Sequence, residues 1–299
     1  MSRAALGWRQ WLALAFLVGA WGSAFLLVQI ALASLTPAQI TAGRMWVGCT
    51  ILVGMLFLTG KRLPRHSGDW IYFVALAVFG NCAPFILIAW GQQFIASSEA
   101  GILMSIVPLQ VILLAHFLIP GEQLHWRKVL GFTLGFAGVV ILFEPPNMTG
   151  LFEQASALAK LAVLCGATCY GIAAILAQKQ PNKDPHQSAA AVLILSSIIM
   201  LVTLLATDRS PPVNVPAAAT FAVIALGAFA TGMATALYFF LAKTAGASFL
   251  SLTNYLVPVF AVAMGTLVAG EKLSVNAWGA LLVILLGLGI SQRAPVRTR

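Results

Sequence analysis

Charge is what this sequence has least of. Only 8% of its 299 residues are Asp, Glu, Lys or Arg, against about 25% in a soluble domain. With 60% apolar residues, the chain has too little polar surface to face water. A water-soluble fold is excluded, and the solvent for most of the chain is lipid. The formal net charge of +9 does not mark a nucleic-acid partner, because the basic residues sit between apolar runs and form no basic face. Cysteine is also sparse. Cys49, Cys82, Cys165 and Cys169 all lie inside apolar runs, where a free thiol behaves as a small hydrophobe. There is no CxxC and no Cys/His cluster. Cys165 and Cys169 share a helix face but have no third ligand nearby, so neither a metal site nor any cofactor is expected. Walker A, G-x-S-x-G and H-E-x-x-H sequences are absent, which removes ATP-driven pumping and the familiar membrane hydrolase chemistries. The chain is not expected to be an enzyme.

Acid is missing from the depth of the apolar runs. Glu99, Glu122 and Glu271 fall at their ends. His116 is the only other titratable candidate, and its expected role is packing. Proton relays in pumps usually use buried carboxylates or histidines, so the residues favour facilitated movement of a solute down its gradient.

What is present is a series of long apolar runs. About 20 apolar residues cross the roughly 30 Å hydrocarbon layer as a helix. Ten spans are predicted: 11–33, 38–58, 70–94, 99–119, 126–143, 156–178, 187–206, 217–241, 247–269 and 274–291. Charged or Pro-rich turns separate them, including "GKRLPRHSGD", "EPPNMTG", "QPNKDPHQ" and "DRSPPVNVP". The first run is too long for a signal-peptide core and is taken as a retained span. With the N-terminus inside, Arg3, Arg9, Lys61, Arg62, Arg65, Arg127, Lys128, Lys179, Lys183, Lys243, Arg293, Arg297 and Arg299 all face the cytoplasm. Only Lys160, Arg209 and Lys272 face outward, and Arg44 lies within span two. This asymmetry places both termini in the cytoplasm. Trp8, Trp11, Trp70, Trp126 and Trp278 fall at span ends, the depth that amphipathic rings favour.

The chain also says one thing twice. "VPLQVILLAHFLIPGEQLHWRKVLG" (107–131) returns as "VPVFAVAMGTLVAGEKLSVNAWG" (257–279), and "AWGSAFLLVQ" (20–29) returns as "CYGIAAILAQ" (169–178). The offset is about 150 residues, so residues 1–146 and 150–299 read as two copies of a five-span unit. Five is odd, so the second copy enters the membrane inverted. Inverted repeats suit alternating access, with the solute site near mid-membrane between the copies.

Two five-helix copies, a Trp-Gly-Ser in span one, Arg44 in span two, a proline in spans four and nine followed by Gly-Glu-x-Leu, and a Gly-rich span five together resemble the EamA-type branch of the drug/metabolite transporter superfamily. Within it the chain is most similar to bacterial exporters of aromatic and other neutral amino acids. The resemblance implies an inner-membrane carrier. Spans one to four and six to nine would surround a central cavity, with five and ten at the side.

Several residues are candidates for the solute site. Arg44 lies about 9 Å into span two at 1.5 Å per residue. It either anchors a carboxylate through bidentate guanidinium geometry, or snorkels to the outer interface or binds carbonyls at a helix end. Span nine carries Ser251, Asn254, Tyr255 and Pro258 on one stripe. Span three carries Asn81, Phe85, Ile88 and Gln92, with Pro84 beside them, and span eight carries Thr231, Thr235 and Tyr238. With Trp21, Trp90 and Tyr170 these side chains suit a neutral or zwitterionic solute with an apolar body; packing is the competing role for each aromatic. Pro84, Pro108 and Pro258 are candidate hinges. Gly131, Gly135 and Gly138 form a small-residue face on span five for close helix contact, within the chain or between chains. The partners expected are a small-molecule solute and the lipid bilayer, with no nucleic acid and no obligate protein. Alternatives are a drug or nucleobase exporter of the same superfamily, a membrane enzyme (disfavoured for want of a titratable cluster), and a non-transporting scaffold.

Overall fold

The structure, a computed structural model, describes residues 7–64, 66–122, 124–143, 151–181, 184–207 and 214–292. The expected turns at 144–150 and 208–213 lie outside the described residues. So do Arg3, Arg65, Lys183, Arg209, Arg293, Arg297 and Arg299 of the charge pattern.

The described residues are all-helical, with no strand among them. In lipid every backbone N–H and C=O must be satisfied within the protein, and a helix does this locally. Among the described residues nine helical runs are long and apolar enough to cross a membrane. They comprise α1 (Trp8–Leu32), α2 (Pro37–Leu58), α3 (Ser67–Ala77) continuing into α4 (Ala83–Gly91), and α5 (Ser97–Met104) with α6 (Val107–Leu118). They continue with α7 (Trp126–Phe143), α8 (Leu151–Lys179), α9 (Pro185–Thr207), α10 (Ala217–Ala225) continuing into α11 (Ala234–Thr244), and, last in the chain, α14 (Val275–Gln292). The predicted span 247–269 is instead broken into α12 (Ala247–Leu250) and the shorter α13 (Thr253–Leu267).

The breaks have local causes. Helices α2 and α9 begin alike. Thr36 accepts a hydrogen bond from the Gln39 N–H, and Asp184 accepts from the N–H groups of His186 and Gln187. Each cap is followed by Pro37 or Pro185, which has no N–H to leave unpaired. Two helices widen in mid-span into π-helix, at Val78–Cys82 and Leu226–Met233. These segments sit at equivalent places in the two sequence copies, and π-segments concentrate at functional sites. The first ends against Pro84, whose missing N–H would interrupt a regular ladder.

Packing joins the two halves of the sequence. Helix α1 lies on α13 and on α10–α11, while α8 lies on α5–α6 and on α3–α4. Helix α2 meets α9 and the second π-segment, and α9 meets the first. Exchanging the halves turns each of these contacts into its counterpart. Helices α7 and α14 pack on each other. A Cβ at Gly131 would strike the Gly287 carbonyl and Ser291, and one at Gly138 would strike Ile284 and the Ala280 carbonyl. Gly135 faces Leu109 of α6 instead. The small-residue face on span five therefore serves contacts inside the chain. The interface tryptophans Trp8, Trp11, Trp126 and Trp278 are exposed, whereas Trp70 packs edge-on against Phe73.

Gly131→Leu should overpack the α7–α14 contact and destabilise the protein by about 1–3 kcal/mol, read as a lower Tm in detergent. Gly289→Ala, which meets nothing within 4 Å, should leave Tm unchanged or raise it. Equal effects from the two would disprove the close-contact role.

Candidate functional site

A cavity of about 1730 Å³ runs between the halves, lined by α3, the first π-segment, α6, α8, α9, the second π-segment and α11. Its charged lining residues all come from one end of the molecule. Lys61 follows α2, Asp184 precedes α9, and Lys243 lies in the last turn of α11. Lys61 and Asp184 form a 2.7 Å ion pair at this mouth. Partial burial pushes the Asp184 carboxyl up. The Lys61 ammonium and the N–H groups of Gln187 and His186 outweigh that and hold it below the usual carboxylate range. No residue from the opposite end, where Ser97, Ser98, Lys160 and Glu271 cluster, reaches the lining. The cavity therefore opens at one end and is closed at the other.

The deep wall is built on the two π-segments. Asn81 lines the cavity and its Nδ2 donates to Ser196 Oγ of α9 at 3.2 Å. Across from it Thr231, also on the lining, accepts from Arg44 Nε at 2.8 Å and donates to the Leu226 carbonyl five residues back. The five-residue step is the π-helical repeat itself. The wider turn lets one hydroxyl serve both the backbone and a side chain on α2.

Arg44 is buried, with 7% of its surface exposed. Its guanidinium lies 3.7 Å over the centroid of Phe85, and Phe85 in turn meets Tyr170 edge-on. A desolvated cation over a ring face gains about 2 kcal/mol, a fraction of what burying a charge costs. Among the described residues no carboxylate pairs with it. Guanidinium carries five N–H donors, and its one hydrogen bond to the protein there is to Thr231. Arg44 thus stands behind the wall, supported on one edge and one face. The outer-interface alternative does not match this placement.

A side recess of about 100 Å³ adjoins the cavity between α1, α5–α6 and α13, walled by Trp21, Gly101, Pro108 and Pro258. Trp21 donates Nε1–H to the Ala230 carbonyl of the second π-segment and meets Tyr238 at 6.0 Å between centroids. Asn254 lines both spaces, and Tyr238 lines the cavity.

The remaining expected site residues lie elsewhere. Trp90 is 38% exposed on the outer surface, against Phe94. Gln92 is fully buried and donates Nε2–H to the Phe25 carbonyl, away from the cavity. Tyr255 packs on the apolar cluster of α5, α6, α7 and α14. Tyr170 supports Phe85 and is not on the lining. Ser251 contacts Gln292 at 3.4 Å. His116 Nδ1 holds the Glu122 carbonyl. Ser196 and the Lys61–Asp184 pair were not anticipated. A serine on an apolar helix carries no distinguishing pattern, and the ion pair joins two turns far apart in sequence.

These features define a multi-pass membrane protein built around a largely apolar passage that carries a few polar side chains and is closed at one end. The chain belongs to the EamA-like transporter family, whose pattern matches residues 9–144 and 157–291. It is similar to the uncharacterized transporter YoaV of Bacillus subtilis, 23% identical over 88% of this chain and 90% of that protein. An uncharacterized transporter of Archaeoglobus fulgidus is 24% identical over 95% of this chain and 99% of its own length. The uncharacterized inner membrane transporter YedA of Escherichia coli is 24% identical over 89% and 84%. One crystal structure superposes with a TM-score of 0.68 at 18% identity, covering 95% of this chain and 96% of that one, which shows a shared fold.

Thr231→Val removes the acceptor for Arg44 Nε with little change of shape. It should destabilise the protein by about 1.5–3 kcal/mol, the range for a hydrogen bond to a charged group, while Thr231→Ser retains most of the stability. A valine variant as stable as the wild type would mean that Thr231 does not support Arg44.

Proposed function

We propose that this transporter exports small metabolites, aromatic and other neutral amino acids foremost, across the bacterial inner membrane by alternating access. The observation that carries the reading is the cavity itself: it lies between the halves, opens at one end and is sealed at the other. In this reading the chain makes ten spans, α12 and α13 together forming the ninth. Residues 1–146 and 150–299 are inverted five-helix repeats, and both termini are cytoplasmic. The open mouth then faces the cytoplasm, where an exported solute would enter.

The wall chemistry supports an amino acid. Asn81, Thr231, Thr235 and Asn254 offer neutral hydrogen-bonding groups, and Trp21 and Tyr238 offer aromatic surface. Arg44, behind the wall and bonded to the lining Thr231, is the proposed fixed positive charge for a carboxylate that reaches past that hydroxyl. The deep lining holds no carboxylate among the described residues, and Asp184 at the mouth is engaged with Lys61. That supports facilitated export without proton coupling. Pro84, Pro108 and Pro258 are the proposed flexing points. Pro108 follows a tight turn at Ser105–Ile106, and Pro258 lies within α13. One observation favours a second reading. About 1730 Å³ exceeds the roughly 300–1,000 Å³ of common ligand pockets and would admit a solute bulkier than an amino acid, such as a drug.

The test is flux of radiolabelled phenylalanine in proteoliposomes without an imposed proton gradient. Flux above empty vesicles is expected, with competition by neutral amino acids and none by phenethylamine, which lacks the carboxylate. Arg44→Ala should fold and lose about tenfold in flux, the worth of one charge-assisted contact. Full flux in that variant would refute the anchor. Flux only under a proton gradient would refute facilitated export.

A further inference from the structure

The sealed end is held by one carboxylate. Glu271 sits in the turn between α13 and α14, where Gly270 has φ +69° and brings the chain back toward α5. Glu271 Oε1 accepts from Ser97 N–H at 2.9 Å and Ser97 O–H at 2.7 Å. Its Oε2 accepts from Ser98 N–H at 3.0 Å and Ser98 O–H at 2.5 Å. Both oxygens are thus filled by the first turn of α5, with the positive end of that helix behind them. Burial raises the Glu271 carboxyl. The hydroxyl and amide donors of Ser98 and Ser97 outweigh burial and hold it below the usual carboxylate range. A Cβ on Gly265 would collide with this carboxylate, so α13 passes directly beneath it.

The other Gly-Glu turn is built alike and is unlatched. Gly121 has φ +88°, in the same left-handed region as Gly270. His116 holds the Glu122 carbonyl at 2.9 Å. The Glu122 side chain is half exposed and meets Lys128 at 3.4 Å. It lies after α6, at the end where the cavity is open. An offset of 149 maps Gly121 and Glu122 onto Gly270 and Glu271, and the offset of 150 that pairs Pro108 with Pro258 maps residues 97–98 onto 247–248. The spans that bear the two turns are also bent differently. Helix α6 is set off from α5 at Ser105–Ile106. The break before α13 falls at Ser251–Leu252, four residues nearer the span's start than the equivalent 255–256. The two copies therefore hold different shapes at corresponding places, one with its opposing turn engaged and one without.

We propose that the two Gly-Glu turns are alternating latches: Glu271 on Ser97 and Ser98 seals one end, and Glu122 takes the equivalent place at the start of span nine, on the backbone of 247–248, when the other end seals. The proposal rests on the alternating-access reading above. Each latch links a turn of one half to a helix of the other, so releasing one and closing the other is a relative movement of the halves.

Hydrogen exchange of the full-length protein in nanodiscs tests this without knowledge of the solute. In the wild type the amides of 97–100 should be protected and those of 246–250 should exchange faster. Glu271→Gln should speed exchange at 97–100 by about tenfold, since a charge-assisted acceptor becomes a neutral one, and should slow it at 246–250 in the same sample. Glu122→Gln removes only the contact with Lys128 from the present structure and should leave the protein folded. By disfavouring the alternate state it should slow exchange at 97–100, at the far end of the molecule. Faster exchange at 97–100 in Glu271→Gln with no slowing at 246–250 would make Glu271 a local cap and overturn the proposal. So would Glu122→Gln leaving 97–100 unchanged. Phenylalanine flux of the same variants in proteoliposomes keeps the two readings apart. Flux without reciprocal exchange overturns the latches alone, whereas reciprocal exchange without flux supports the latches and overturns the substrate reading.

Discussion

Helices in lipid gain nothing from hiding apolar surface from one another, because the surrounding chains are as apolar as they are. Association must come from close contact and from hydrogen bonds across helices. In this protein close contact is made possible where glycine faces the other half. Gly22 admits Phe260 and the Val257 carbonyl, Gly48 admits Thr231, and Gly227 admits the Arg44 carbonyl. Gly91 does the same for the Ala159 carbonyl. Every one of these contacts crosses from one sequence copy to the other. The passage between the halves therefore owes its walls to positions where a side chain would hold them apart.

The same constraint explains why polar residues gather where they do. Beyond these contacts, hydrogen bonds between the halves run through side chains, among them Arg44 to Thr231, Asn81 to Ser196, Trp21 to the Ala230 carbonyl, and Trp46 to the Ser197 carbonyl. Three of the four engage a π-segment. A π-turn widens the helix and changes which groups meet a neighbour, so mid-membrane is where this backbone offers groups to other helices. In a bilayer such groups have no water to fall back on, and each must find protein or solute. Arg44 is the extreme case. Its face is covered by Phe85 and one edge by Thr231, and among the described residues no carboxylate pairs with it.

Closure is organised differently at the two ends. The sealed end gathers charged and hydroxyl groups: Glu271 with Ser97 and Ser98, and Lys160, which donates to the Leu142 carbonyl at 2.8 Å and lies 4.0 Å from Glu99. At the positions corresponding to Lys160 and Glu99 the other copy has Trp11 and Phe249, which pack edge-on at 5.0 Å. One end thus uses a buried cation near a helix terminus where the other uses rings. Exchanging the halves preserves the contact and changes its chemistry.

Composition and the spacing of apolar runs determined that this chain lies in a membrane as a set of helices, because the length of a span follows from the thickness of hydrocarbon and from nothing else in the fold. The duplication, the Gly-Glu turns and the oddity of an arginine inside span two were equally legible, being patterns along one dimension. The span ends differ from those observed by a few residues, since caps such as Thr36–Pro37 and Asp184–Pro185 extend helices past the last apolar residue. Tertiary structure alone decided which side chains face the passage. Trp90 and Gln92 share a short apolar stretch with Asn81 and Phe85, yet one lies on the outer surface and one in a packed interface. A π-segment and a proline alter the helical phase between them, and no regular periodicity survives that. It alone decided, too, that the glycines of span five meet α14 and Leu109 within the chain, and that Glu271 and not Glu122 is engaged. Those outcomes depend on how the two halves are set against each other, which two stretches of sequence with one shared pattern do not distinguish.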